Sequence, residues 1–453
     1  MSRVTLLANG VVIDGSGAPV RPRTSVLIEG ERITTVGADA EHAAAALAAS
    51  GHAVERIDVT GLTVMPGLID AHCHITFAEP ASNDELFFHR REGLSAILAA
   101  WNVGKLLRAG VTGFLDADCI FDLGPDLRDA IESGVVEGPR MSTGGNALLT
   151  SVGGTAGLLI PEEGRRGYAK VVRTRDEMVV EVRRQIKYGV DWIKVHATGL
   201  IPRQRGRGEI QVWTYDEMKV VCDTAHDLGI PVVAHCRNAT STRDAARAGV
   251  DLVLHATFMD DEALDAVVRS GAAIAPTLTF QANLADFGAK VGADPFVIEL
   301  FRREIAESSV MLRKAYDAGV PFLTGSEAGF SLTPYGHWHA REVEVFVRHL
   351  GMTPLEAITC ATRNGARALK LEGRVGTIAA GCLADVIVIA GDPLADVRIL
   401  GERRRLRHVF AGGRPVDLAR PWPERRRVAG ERVVLYSHEL LTWERAYGDE
   451  RSP

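Results

Sequence analysis

Between residues 64 and 325 the chain alternates short, apolar, β-branched runs with longer helical stretches, and few architectures accept that alternation. Residues 64–74, 113–117, 140–143, 192–196, 231–235, 252–255, 273–277 and 321–325 are expected as strands. Residues 176–187, 215–228 and 296–318 carry helical periodicity between them. Eight βα units of this kind predict a closed (β/α)8 TIM barrel with a parallel sheet. Both chain ends instead carry short alternating runs broken by Asn9-Gly10, Glu29-Gly30 and Ala411-Gly412-Gly413, which are hairpin signals. Residues 1–64 and 375–453 are expected to pair into one small β-sandwich domain beside a barrel of 65–374.

The charge balance, 52 basic against 58 acidic residues, leaves no footprint for a phosphate backbone, so no nucleic-acid partner is expected. No apolar stretch is long enough to span a bilayer, and the first residues lack a secretory pattern; no membrane partner and a cytoplasmic location are expected. The six cysteines, without C-x-x-C spacing, read as reduced core residues.

Chemistry is signalled by where polar residues interrupt the pattern. His72, His74, Lys194, His235, His255 and Glu327 all stand at or just past the C-terminal end of an apolar run. In an α/β barrel that rim is where several strands together build the active site. His72 and His74, two apart, point to one face of an extended strand. Further imidazoles and a carboxylate beside them suit a divalent ion such as zinc. Lys194 sits in a strand too apolar for a free ammonium. It is expected to be salt-bridged, to snorkel, or to be carboxylated by CO2 into an anionic ligand able to bridge two metals. His196 and His226 read as structural, His196 with a possible supporting role behind a ligand.

These residues resemble the amidohydrolase superfamily. The matching motifs are Pro66-Gly67-Leu68-Ile69-Asp70-Ala71-His72-Cys73-His74, Trp192-Ile193-Lys194, Ala234-His235, Leu254-His255 and the late stretch from Gly373 to Asp385. Gly189-Val190-Asp191 before Trp192, Gly249-Val250-Asp251 and Thr353-Pro354-Leu355-Glu356-Ala357 are most similar to the prolidase-like and imidazolonepropionase-like members. The resemblance implies a metal-dependent hydrolase of an amide-type C–N bond, with one or two divalent ions per subunit, usually zinc. It implies His72 and His74 on one ion, His235 and His255 on the other, and carboxylated Lys194 between them. A small-molecule substrate and a homo-oligomeric assembly are expected.

Two departures stand out. Glu327, in Gly325-Ser326-Glu327-Ala328-Gly329, occupies the position where members carry Asp, and Thr155 replaces a His found in many relatives. The expected mechanism is attack of cation-activated hydroxide on the carbonyl, with Glu327 delivering a proton to the departing nitrogen. Glu327, Lys194 and His255 are thus the expected catalytic groups. Substrate contacts are expected from Arg203 and Arg205 on the loop after the Lys194 strand, and from His337 and Trp338 after the eighth strand. The substrate is expected to be peptide-like, an acyl-amino-acid, a urea or a carbamate. The alternatives are a deaminase or cyclic-amide hydrolase on the same ligands, and a binding homologue that has lost the proton shuttle.

Overall fold

Parallel strand pairs follow one another in chain order and return to the first. In this computed structural model, which describes residues 3–81, 86, 91–154, 159–164, 166–199, 208–422, 424, 437 and 439–448, strand Leu68–Cys73 pairs with Val111–Asp116, and that strand pairs with Arg140–Thr143. The Thr143 carbonyl then accepts the N–H groups of Asp191 and Trp192 at 2.9 and 3.1 Å, leading into Ile193–His196. Ile193–His196 pairs with Val232–Cys236, which pairs with Leu252–His255, which pairs with Ala273–Ala275. A bridge from Ile274 to Phe322 adds the eighth segment, and the Ala71 N–H donates to the Thr324 carbonyl at 2.8 Å, rejoining the first strand. Ala71, Leu115, Ala117, Trp192, Val233, Leu254, Ala275 and Leu323 form one buried cluster within this ring.

Helices cover the outside. Arg175–Lys187, Tyr215–His226, Ala239–Ala248 and Asp261–Ser270 each start at a polar cap, where Thr174, Thr214, Asn238 and Asp260 accept a backbone N–H three residues on. A larger apolar cluster lies between these helices and the strands, including Met178, Val182, Met218, Val221, Val253 and Ile274.

The terminal strands form one mixed eight-stranded sheet. Leu62–Pro66 pairs antiparallel with Val386–Ala390, which pairs with Leu406–Ala411, so both chain ends share a core. Period-two alternation divides the labour: Val386 and Val388 join the sheet's own interior, whereas Ile387 and Ile389 join the main core.

The sequence expectation differs from the structure in three places. Residues 64–74 are two strands, Leu62–Pro66 in the terminal sheet and Leu68–Cys73 in the ring. The crossing is at Gly67, where a Cβ would lie 2.2 Å from the Thr112 side chain. Residues 321–325 form only the isolated Phe322 bridge, because Pro321 lacks an N–H and the polar segment that follows turns into the site. The helix Trp443–Tyr447, expected within the terminal β domain, instead packs on the helical layer, with Leu441 and Ala446 against Trp338 and Phe280. Among the described residues no helix is long and apolar enough to cross a membrane.

Candidate metal centre

The strand ends bring the expected ligands together. His72 is the last residue but one of strand Leu68–Cys73 and His74 lies just beyond it, and their ring centroids are 4.9 Å apart. The His255 ring lies 5.2 Å from that of His72 and 4.6 Å from that of His235. Lys194 is 1% exposed. One ligand atom from each of His72, His74 and Glu327 falls within 4.8 Å of the others. Gly325 permits the close approach, since a Cβ there would be 2.7 Å from the His72 Cβ. Backbone strain concentrates at the same end: His255, Ala256, Thr277 and Glu327 take φ of 68°, 49°, 52° and 54°, a region that non-glycine residues seldom adopt.

Hydrogen-bond accounting assigns the ring nitrogens. The Thr277 hydroxyl donates to the Ala275 carbonyl at 3.1 Å, so its oxygen accepts from His72 Nδ1–H at 3.0 Å. His72 Nε2 is then a lone pair, buried, with no hydrogen-bond partner among the described residues. His74 Nδ1 lies 2.9 Å from Asp118 Oδ1, and His235 Nε2 lies 2.8 Å from Glu209 Oε2. Neither nitrogen of His255 has a hydrogen-bond partner among the described residues. Leaving a buried polar atom unsatisfied costs about 1–3 kcal/mol, and three such atoms in neighbouring rings require a reason. A bound cation would satisfy the His72 Nε2 lone pair and one nitrogen of His255, whose other nitrogen carries the ring's hydrogen. Burial, helped by the Lys194 charge, holds the His72 imidazole well below its usual range, and burial with His235 nearby does the same for His255, so both rings are neutral. Neutral imidazoles with a carboxylate fit a first-row divalent ion.

The remaining charges are arranged around this core. Burial lowers the Lys194 ammonium's pKa, opposed by the Asp118 carboxylate, whose Oδ1 is 3.8 Å from Nζ. Burial raises the Glu327 carboxyl. Asp70 is buried beneath the ligands, where it accepts from the backbone N–H groups of His72 and Ser326 at 3.1 and 3.0 Å and from His339 Nδ1 at 2.6 Å. His339 Nε2 accepts from the Gly336 N–H at 3.0 Å, which fixes its tautomer. Phe77, Leu86, Tyr168 and Phe330 wall one side of the cavity, with the Phe77 ring stacked on His74 at 4.3 Å.

The predicted substrate residues are distributed differently. His337 and Trp338 do not line this cavity. His337 Nδ1 accepts from the Trp443 N–H at 3.4 Å, and the Trp338 indole donates to the Leu441 carbonyl among Phe287, Trp443 and Tyr447. Arg203, Arg205 and Thr155 lie outside the described residues. Sequence reasoning missed Asp118 and Glu209. Asp118 follows the run 113–117 as His74 follows the first, and that signal was available; Glu209 adjoins no apolar run, and only the fold brings it to His235.

A sequence profile of the amidohydrolase family matches residues 63–416. Ochratoxinase of Aspergillus niger is 27% identical over 440 residues, spanning 91% of this chain and 86% of that protein. Imidazolonepropionase of Paracoccus denitrificans is 25% identical over 378 residues, 80% of this chain and 87% of its own. A solved prolidase complexed with N-methylphosphonate-L-proline is 27% identical and superposes with a TM-score of 0.77 over 91% of this chain and 99% of that one.

Proposed function

The chain belongs to the amidohydrolase family, hydrolases acting on carbon–nitrogen bonds, and from that premise we propose that it cleaves a peptide-like, acyl-amino-acid, urea or carbamate C–N bond at a divalent-metal centre. In this reading the cyclic succession of parallel pairs is a closed (β/α)8 barrel, and the terminal sheet is its small β domain. The observation that supports the proposal is the gathering of His72, His74 and Glu327 ligand atoms within 4.8 Å of one another, with His72 Nε2 lacking a hydrogen-bond partner among the described residues and the His255 ring 5.2 Å from that of His72.

His72, His74, His235, His255, Lys194 and Glu327 would hold one or two ions, for which zinc suits the donor set. When bound, such an ion supplies water acidified to a pKa of about 7 and positive charge beside the substrate carbonyl. The buried Lys194, with its lowered pKa, carries more of the neutral amine that carboxylation by CO2 requires, and the resulting carbamate would serve as the bridging ligand. A Glu327 carboxylate oxygen accepts the proton of the attacking water and returns it to the departing nitrogen. Its raised pKa brings it nearer the pH at which both transfers run. Asp70 keeps His72 and the Glu327 segment in register through two backbone N–H groups. Six cysteines, all buried and unpaired, support a reducing, cytoplasmic setting.

The test is a substrate panel of dipeptides, N-acyl amino acids, ureas and carbamates, with cyclic amides and amino-substituted heterocycles beside them, assayed with the zinc-loaded protein. Turnover of at least one class is expected. Turnover confined to ammonia-releasing or ring-opening substrates would favour the deaminase or cyclic-amide alternative.

A further inference from the structure

We propose that Asp118 and Glu209 are positioning residues that select, one in each half of the ligand set, which ring nitrogen of His74 and of His235 faces the centre. This rests on the metal-centre reading above and adds two residues and a nitrogen assignment to it.

A carboxylate has only acceptor sites, so the ring nitrogen facing it carries the hydrogen and the opposite nitrogen keeps its lone pair. His74 Nδ1 faces Asp118 twice, with the carboxylate Oδ1 at 2.9 Å and the backbone carbonyl at 3.4 Å, both acceptors, which leaves Nε2 as the donor atom. Glu209 Oε2 faces His235 Nε2 at 2.8 Å, which leaves Nδ1. The two imidazoles therefore address the centre through opposite nitrogens. A ligand pair of that kind is specified only if each ring is held from outside.

Both carboxylates are themselves fixed. Asp118 is 1% exposed, with Oδ2 at 3.4 Å from His196 Nε2 and Oδ1 at 3.8 Å from Lys194 Nζ. Glu209 Oε2 also accepts from the Thr198 hydroxyl at 2.8 Å, and its Oε1 lies 3.7 Å from Arg237 Nε. Arg237 is in turn paired with buried Glu304, which holds the guanidinium beside Glu209. His74 groups with His72 and Glu327, whereas His235 lies against His255. Loss of Asp118 and loss of Glu209 should therefore weaken different halves of the centre.

The experiment uses the full chain as wild type and as Asp118→Ala, Asp118→Asn, Glu209→Ala, Glu209→Gln and the double alanine variant. Each is stripped of metal, checked for folding by circular dichroism, and titrated with zinc against a chromophoric chelator. Each alanine variant is expected to bind zinc about 10- to 100-fold more weakly, and the amide variants, which keep one acceptor oxygen, to recover part of the loss. Long-range proton–nitrogen spectra of the metal-free wild type, labelled at histidine, should show His74 protonated at Nδ1 and His235 at Nε2, with the His235 assignment lost in Glu209→Ala and a share of Nε2-protonated His74 appearing in Asp118→Ala, whose backbone carbonyl still faces Nδ1. Should Asp118→Ala fail to fold, Asp118→Asn and the Glu209 series carry the test. Zinc binding by the wild type that is unchanged in the folded variants, or the reverse tautomers, overturns this inference alone. A wild type that binds no zinc overturns the metal-centre reading and this inference with it.

Discussion

The two ends of the strand ring hold cavities of contrasting character. At the starts of the strands, against the terminal sheet, lies the larger one, lined by Arg128, Arg140, Asp191 and Asp385 among others. Its charges answer one another: Arg140 Nε donates to Asp385 Oδ2 at 2.7 Å, Asp385 Oδ1 accepts from the Gly412 N–H at 2.7 Å, and Arg128 Nη1 donates to Asp191 Oδ2 at 2.9 Å. At the strand ends the cavity is smaller, yet it is lined by His72, whose Nε2 has no hydrogen-bond partner among the described residues, and by Glu327 with its left-handed backbone. In the proposed reading, unspent bonding capacity rather than size marks the chemistry: the paired face ties the terminal sheet to the strand ring, and the other face would take the ligand.

That contrast breaks if chemistry and stability fail to separate between the ends. The largest effect is expected from Glu327→Gln, which should lower kcat by about 10²–10⁴-fold while leaving the melting midpoint near that of the wild type. Full turnover in that variant would remove Glu327 from proton transfer. At the opposite face, Asp385→Ala should cost about 1–3 kcal/mol of unfolding free energy, the lower part of the range being favoured because the Arg140 side chain is 30% exposed. Urea titration checks this, and kcat should stay within about twofold of wild type; a large loss of activity with unchanged stability would reverse the assignment of the two ends.

A third test concerns buried Glu342, which accepts from the Leu278 N–H and the Thr279 hydroxyl and whose carboxyl burial pushes up to about 8 from 4.5. The folded chain keeps this proton where the unfolded chain has released it, so stability contributed here falls as pH rises from about 4.5 to 8. Glu342→Gln should flatten that part of the stability profile, and a slope identical to wild type would contradict the assignment. The smallest effect is expected from His337→Ala. With the side chain turned toward Trp443 and Glu444, kcat/KM should change by less than about threefold. A loss a hundred times larger would bring His337 back to the substrate.

Much of the candidate site was legible because its residues interrupt apolar runs: a histidine at the end of Leu252–His255 or a lysine inside Ile193–His196 has no cheap reason to be there. The terminal sheet was legible through its alternation and hairpin glycines. What escaped were features set by tertiary approach. Gly67 stands between two strands, and the close approach of Thr112 that excludes a Cβ there is set by tertiary packing. Glu209 reaches His235 from a polar segment, and His337 and Trp338 are claimed by a helix more than a hundred residues later in the chain. The eighth segment bends into the site through Gly325 and the left-handed Glu327, giving up strand geometry to deliver a carboxylate.

The most direct test of the central claim is elemental analysis of purified protein alongside activity during chelation and reconstitution. One or two zinc or similar divalent ions per chain, loss of turnover when they are stripped, and recovery when zinc is restored are the predicted results. Protein that turns over substrate with no divalent ion bound, and at a rate no chelator changes, would contradict the account.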